Sequence, residues 1–325
     1  MSVEYGSRQA VAFRRTDLDI IRIFGVVAVV AGHAWDSEWI HQWVYPWHVP
    51  LFFLLAGYLW RDNRLLRDEF SRRFRSLVVP YLFWIAVVLN FLLVYRVLHG
   101  SLDLREIAKT LYGGVAATAP FSAFWFVSAL FVASVLFRWL SNLRAAPLTA
   151  VVLFLLAASS LAGDQIARLP LSIGSGALCV LFLVTGRMVR RVSMFANPRP
   201  LVVSTTAVCL FAILASNLLP PLDLKRGDYG FPVLSIFVSA MAFLVLLGVS
   251  GALSGLTSEW DNVNSWIMRL ASCSLGVVLI HAFPIMVLRG LVPTWCIFLL
   301  SLVLSWVISV ALLRFPRGRA VLGVG

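Results

Sequence analysis

Ten stretches of 17 to 24 residues, nearly bare of charge, recur along this chain with short polar connections between them. They run over about 18–35, 43–60, 77–98, 122–140, 147–163, 172–190, 200–219, 231–253, 266–289 and 293–313. About 20 mostly apolar residues cross the hydrocarbon core of a bilayer as a helix. Backbone polar groups in lipid must be satisfied internally, which leaves helices and closed barrels as spanning structures. These runs are continuous, not alternating. The expected fold is therefore all-α: a polytopic membrane protein of about ten transmembrane helices. Only 13% of the residues are charged, against about 25% in a soluble domain.

Charge in the connections sets the orientation. With the N-terminus inside, eighteen of the 27 Lys and Arg fall in inside segments, seven fall outside, and Arg22 and Arg269 lie within spans. Cytoplasmic connections carry the basic excess, so both termini are expected in the cytoplasm. Residues 1–17 are then a cytoplasmic tail, 18–313 the transmembrane domain and 314–325 a second tail. One connection dissents: Ser254 to Ser265 should be cytoplasmic, yet it holds Glu259 and Asp261 and no base. The first 19 residues are polar and basic, and no small-residue cleavage site follows the first run, so no cleaved leader is expected. The net charge of +12 sits between apolar runs; the partner it implies is the bilayer, not nucleic acid. The expected location is the cell's inner (cytoplasmic) membrane. Cys179, Cys209, Cys273 and Cys296 all lie inside apolar runs without a Cys-x-x-Cys pair, and read as small buried hydrophobes. No metal site is expected. In the longest outside connection, "LREIAKTLYGG" reads as a short amphipathic interfacial helix.

Ionisable groups in the hydrocarbon region are costly and mark function by default. The first run, "DIIRIFGVVAVVAGHAW", carries Arg22 and His33, 11 positions apart. At 3.6 residues per turn this is three turns plus about 20°, so both share one helix face about 16 Å apart along the axis. Asp19 lies one turn before Arg22 and can pair with it; Asp36 follows His33 by three positions and is placed to orient the imidazole. The bland alternatives are a snorkelling arginine and a histidine bonded to a neighbouring helix. His48 opens the second run and by itself reads as an interfacial histidine. His281 sits deep in the ninth. Trp125, between Phe124 and Phe126, opens the fourth as part of an aromatic belt.

Between the second and third runs stands "RDNRLLRDEFSRRFRSLVVPY". It holds Arg61, Arg64, Arg67, Arg72, Arg73 and Arg75, while the whole chain has two lysines. A positive-inside connection explains the charge but not the preference for arginine, whose planar fork grips phosphate oxygens from two points. The cluster therefore reads either as an anchor for a phosphorylated ligand or as a site for headgroup phosphates.

Taken together, these motifs resemble the acyltransferase 3 family of membrane proteins, most closely its fucose 4-O-acetylase-like branch, from about Asp17 to His281. Arg22, ten residues, then His33 is similar to that family's first-helix signature. "WHVPLFFLLAGY" resembles its aromatic-His-x-Pro-Leu-Phe-Phe segment. "RRFRSLVVPY" resembles its Arg-x-x-Arg motif, with Arg72 and Arg75 the best-matched pair and Arg61/Arg64 and Arg64/Arg67 at the same spacing. "FWFVSALF" and "SLGVVLIH" match later landmarks. The resemblance implies an O-acyltransferase with no permanently bound cofactor. Acyl-CoA, acetyl-CoA by default, would be the co-substrate, and the acceptor a hydroxyl of a sugar, cell-envelope glycan or glycolipid. It also implies a catalytic His33 assisted by Arg22, and donor binding on the Arg-x-x-Arg side.

Acyl transfer to an alcohol needs a base for the hydroxyl proton and donors near the thioester oxygen. Histidine, with an unperturbed pKa of about 6.5, suits the first task; the alternative is a covalent acyl-His intermediate. CoA phosphates held by Arg72 and Arg75 at the inner face would let the long arm thread along the first helix to His33. The rival reading is a transporter or flippase for a polar or glycolipid substrate, which intramembrane Arg, His and Asp also suit. Matching interrupted helices and internal repeats would favour it, and the sequence shows none.

Overall fold

A computed structural model describes residues 2–35, 37–101, 103–195, 200–220 and 222–324, with side chains from 16 onward apart from 193–195. Among the described residues the chain is helical and has no strand, one isolated bridge between Asp223 and Asp228 aside. The long α1 (Ser2–Ala34) is followed by α2 (Glu38–Trp43) and α3 (Pro50–Tyr58). Then come α4 (Leu66–Arg73), α5 (Val79–Leu98), α6 (Leu104–Tyr112), α7 (Phe124–Leu140) and α8 (Ala145–Ala167). The second half holds α9 (Ile173–Phe195), α10 (Pro200–Ala215), α11 (Pro232–Leu256) and α12 (Asp261–Ser272). It ends with α13 (Ser274–Ile280), α14 (Ala282–Leu288), α15 (Thr294–Leu312) and α16 (Pro316–Val321).

Five helices among the described residues are long and apolar enough to cross a membrane: Leu66–Leu98, Ala145–Ala167, Pro170–Val192, Pro232–Leu256 and Thr294–Leu312. A sixth crossing forms if α12 and the α13–α14 stretch, bent by 45° at Cys273, count as one. The rest of the expected ten differ for readable reasons. The apolar helices α7 and α10 have 17 and 16 residues. In α1 the charged Asp17, Asp19 and Arg22 interrupt the apolar stretch on its N-terminal side. The second run is broken: residues 44–49 form turns, and α3, started by Pro50 at its first position, has only nine residues. Proline lacks the N–H that continuing an earlier helix would need.

The third run begins earlier than expected. α4 continues into α5 through one π-helical turn, Phe74–Val78. Pro80 cannot donate to the Ser76 carbonyl, and a wider turn is one way a helix absorbs that loss. The C-terminal segment docks here. Trp84 Nε1 donates to Val321 O at 3.0 Å, and a methyl on Gly323 would lie 2.3 Å from Ser76 O. With φ at +72°, only glycine suits residue 323.

α9 is the centre of the bundle. In its span 72% of the apolar window is buried within the protein, against 11% for α8; α8 therefore turns most of its surface to lipid. α3 and α7 flank α9, and α8 and α11 pack further out. α1 lies against α11, α12, α13 and α15. The expected short amphipathic helix forms as α6, capped by Asp103 and tied back to α5 by Arg96 Nη2 on Glu106 Oε1 at 2.9 Å. Of the cysteines, Cys179 and Cys273 are buried as expected; Cys296 is half-buried and Cys209 is exposed on α10, so these two are not core residues.

Candidate active site

α1 is continuous from Arg22 to His33, so the two side chains share one face about 16 Å apart. Arg22 Nη1 pairs with Asp19 Oδ1 at 2.6 Å. Between them on the same face stand Gly25 and Val29. Gly25 receives the ring of Phe52: a methyl there would lie 2.8 Å from Phe52 Cζ. His33, in the last turn of α1, faces a cleft lined by Val29, Val49, Phe52, Ala123, Trp125, Phe126 and Val278. The cleft holds about 280 Å³ of empty space including its mouth. This is a narrow slot, closed on the α1 side by the Phe52 ring in its tilted contact with Phe126, 5.3 Å between centroids.

The fold gathers three histidines that lie far apart in sequence. His281, fully buried at the joint of α13 and α14, has its ring centroid 5.0 Å from that of His33. Its Nδ1 lies 3.0 Å from Val277 O, and its Nε2 is buried without a partner. A carbonyl only accepts, so Nδ1 carries a proton, and Nε2 of the neutral ring is a bare acceptor. His48 is buried too; Nδ1 is held by Val44 O at 3.0 Å, and Nε2 lies 3.6 Å from where a Gly32 methyl would stand, beside His33. Arg289 Nη2 donates to His33 O at 3.2 Å, anchoring the end of α1 to α14. Asp36 lies outside the described residues. No group of three or more His, Cys, Asp or Glu able to hold a metal occurs among the described residues.

Beyond the cleft, Lys225 Nζ donates to Ala117 O at 2.6 Å. Burial pushes this ammonium down to about 8, against the pull of Asp223. Lys225 and Arg289 both act electrostatically on His33. The sequence counted them only as outside charge.

The arginine cluster is built on α4 and the residues that lead into it. Its hub is Glu69, 2% exposed. Arg72 Nη2 and Arg73 Nε reach its Oε1 at 2.5 and 2.8 Å, and Arg64 Nη1 reaches Oε2 at 3.1 Å. Arg75 is not part of this knot; with Phe70, Ser71 and Phe74 it lines an open cleft of about 390 Å³. Arg61 contributes its carbonyl, which accepts from the buried Arg138 Nη1 at 3.0 Å. Arg138 also bonds Ser141 and stacks over Trp60, and Arg187 pairs with Asp62 at 2.7 Å. The structure thus brings His33, Trp125 and His281 together, with His48 beside them. It separates Arg72 and Arg64, which grip Glu69, from Arg75, and the two clefts share no lining residue. Glu69 was legible in principle, since residues three and four apart meet on a helix.

These features define a class: a multi-pass membrane protein with a histidine-centred cleft in its helical core. The acyltransferase 3 family model, described as an acyltransferase domain, matches residues 15–314, and the chain belongs to that family. The family makes the chain a membrane acyltransferase. No curated protein and no solved structure matches it.

Proposed function

We propose that the chain is an O-acyltransferase of the cell's inner membrane, in the fucose 4-O-acetylase-like branch. It moves an acyl group, acetyl by default, from cytoplasmic acyl-CoA to a hydroxyl of a sugar, cell-envelope glycan or glycolipid. The observation that carries this reading is His33: a histidine in a core cleft, backed by a second imidazole, in a chain whose family transfers acyl groups. His33 takes the acceptor's hydroxyl proton; the alkoxide oxygen attacks the thioester carbonyl, the C–S bond breaks, and the CoA thiolate leaves with the proton from the imidazolium. Trp125 lines the cleft and brings an indole N–H toward the oxyanion. His281 supplies the neighbouring ring that sets the orientation of His33, beside or in place of Asp36.

The ten-crossing topology with both termini cytoplasmic draws support from which segments touch. Gln42 bonds Leu214 O, Tyr112 bonds Arg168 O, Arg289 bonds His33 O and Lys225 bonds Ala117 O. Each pair joins outside connections or the outer ends of spans. Arg138 with Arg61, Arg187 with Asp62, and Trp84 with Val321 join the inner ends of spans to inside connections. None of these contacts joins opposite sides. His33 and the arginine cluster then lie toward opposite faces, as a cytoplasmic donor and an outer-leaflet acceptor require. Phe52 must swing from Gly25 for the CoA arm to pass.

The broken α12–α14 span would suit a transporter, but the family assignment favours transfer. Purified protein in detergent, given labelled acetyl-CoA, should release CoA and label an envelope glycan fraction. Mass spectrometry of envelope glycans with and without the gene identifies the acceptor; no acylation difference, together with no CoA release, would remove the proposal. On the donor side, Arg72→Ala and Arg75→Ala should each raise the donor KM roughly tenfold, each removing a charge-assisted contact, with acceptor KM held. Unchanged donor affinity in both would move the phosphates elsewhere.

A further inference from the structure

We infer that Glu69, which no family motif assigns, is the positioning residue that aims the arginine cluster at the phosphates of the acyl donor. This rests on the donor side of the reading above. Three guanidiniums converge on one carboxylate that is 2% exposed, and the contacts are a knot, not a chance surface pair. Each arginine gives Glu69 one N–H and keeps others, because guanidinium has five. Arg72 remains 43% exposed and Arg64 26%, whereas Arg73 is only 13% exposed. Arg73 therefore braces the hub, and Arg72 and Arg64 present the outward donors. The knot keeps a surplus of two positive charges, and Arg75 adds a third beside the open cleft of Phe70, Ser71 and Phe74. Without the hub, three like charges within one short helix and its approach would splay apart into water.

The sign of one substitution separates aiming from plain attraction. Deleting a negative charge at a polyanion site should tighten binding if charge alone matters. Aiming predicts the reverse, because the fork geometry that grips phosphate bidentately is lost. The measurement is CoA affinity of the full-length protein in nanodiscs of zwitterionic lipid, with donor and acceptor kinetics alongside. Glu69→Gln is expected to weaken CoA binding roughly tenfold and raise donor KM, with acceptor KM and kcat at saturating donor held. Glu69→Asp, which keeps the charge on a shorter arm, should fall between the two. Unchanged or tighter CoA binding in Glu69→Gln overturns the inference. So does a loss of binding only for vesicles containing phosphatidylglycerol, which would make lipid headgroups the phosphate source. If Glu69→Gln does not fold, Glu69→Asp decides: wild-type CoA affinity there overturns it. Failure of the donor reading itself looks different, since Arg72→Ala and Arg75→Ala would then also leave CoA affinity unchanged.

Discussion

His33→Ala is expected to cut kcat for acyl transfer by roughly a thousandfold, within the range a positioned general base contributes. The fold should survive. His33 is half-buried at the lip of a cleft, and Arg289 holds its backbone carbonyl whatever the side chain. Donor affinity should hold as well, because the arginine cluster is built on α4 and the approach to it, and its cleft shares no lining residue with that of His33. His33→Gln sharpens the test: it keeps much of the volume and a hydrogen-bonding group but no base. Turnover near wild type in either variant would take the proton-transfer step away from this histidine. A loss of kcat accompanied by equal loss of CoA binding would instead mean that the end of α1 had collapsed, which the melting temperature reports independently.

Much of the architecture was legible because lipid leaves few choices. Most of the long apolar runs became helix, and the Asp19–Arg22 pair and the shared face of Arg22 and His33 follow from helical spacing alone. What the runs do not encode is where a helix breaks. The second run looked like one crossing, yet Pro46 and Pro50 divide it into turns and the short α3. The ninth bends at Cys273, where the apolar pattern continues undisturbed. The site was legible in its parts, not in its assembly. His33 and His281 lie 248 positions apart, and only the packing of α1 against α13 and α14 brings their rings to 5.0 Å. Spacing singles out Arg72 and Arg75, whereas the buried Glu69 binds Arg64, Arg72 and Arg73 and sorts them into braced and outward-facing members. The CoA arm was expected to thread along the first helix to His33; in the structure the two clefts share no lining residue, and the Phe52 ring fills the notch left by Gly25 on that helix.

That ring is held in place by α3, and α3 depends on two glycines. On α3, a methyl at Gly57 would stand 2.0 Å from Leu183 O of α9; on α9, a methyl at Gly186 would stand 2.0 Å from Leu54 O of α3. Leu54 and Gly57 are three residues apart, as are Leu183 and Gly186, so each helix offers the other one glycine and one carbonyl. The helices touch backbone to backbone, the close approach that small residues permit in membranes. A carbon needs roughly 3.4 Å or more from a carbonyl oxygen, so either methyl forces the helices apart by more than an ångström. Gly57→Ala and Gly186→Ala should each destabilise by about 3 kcal/mol, the upper range for overpacking, read as a lowered melting temperature in detergent. The separation that relieves one clash relieves the other, so the double variant should cost little more than the worse single one. Activity should fall with stability, since α3 carries Phe52 into the His33 cleft. Gly251 is the control: it is helical, with open space where its methyl would go, and Gly251→Ala should be neutral or stabilising. If Gly186→Ala melts with Gly251→Ala, the backbone contact between α3 and α9 is looser than described, and the cleft that α3 shapes around His33 loses its rigid wall.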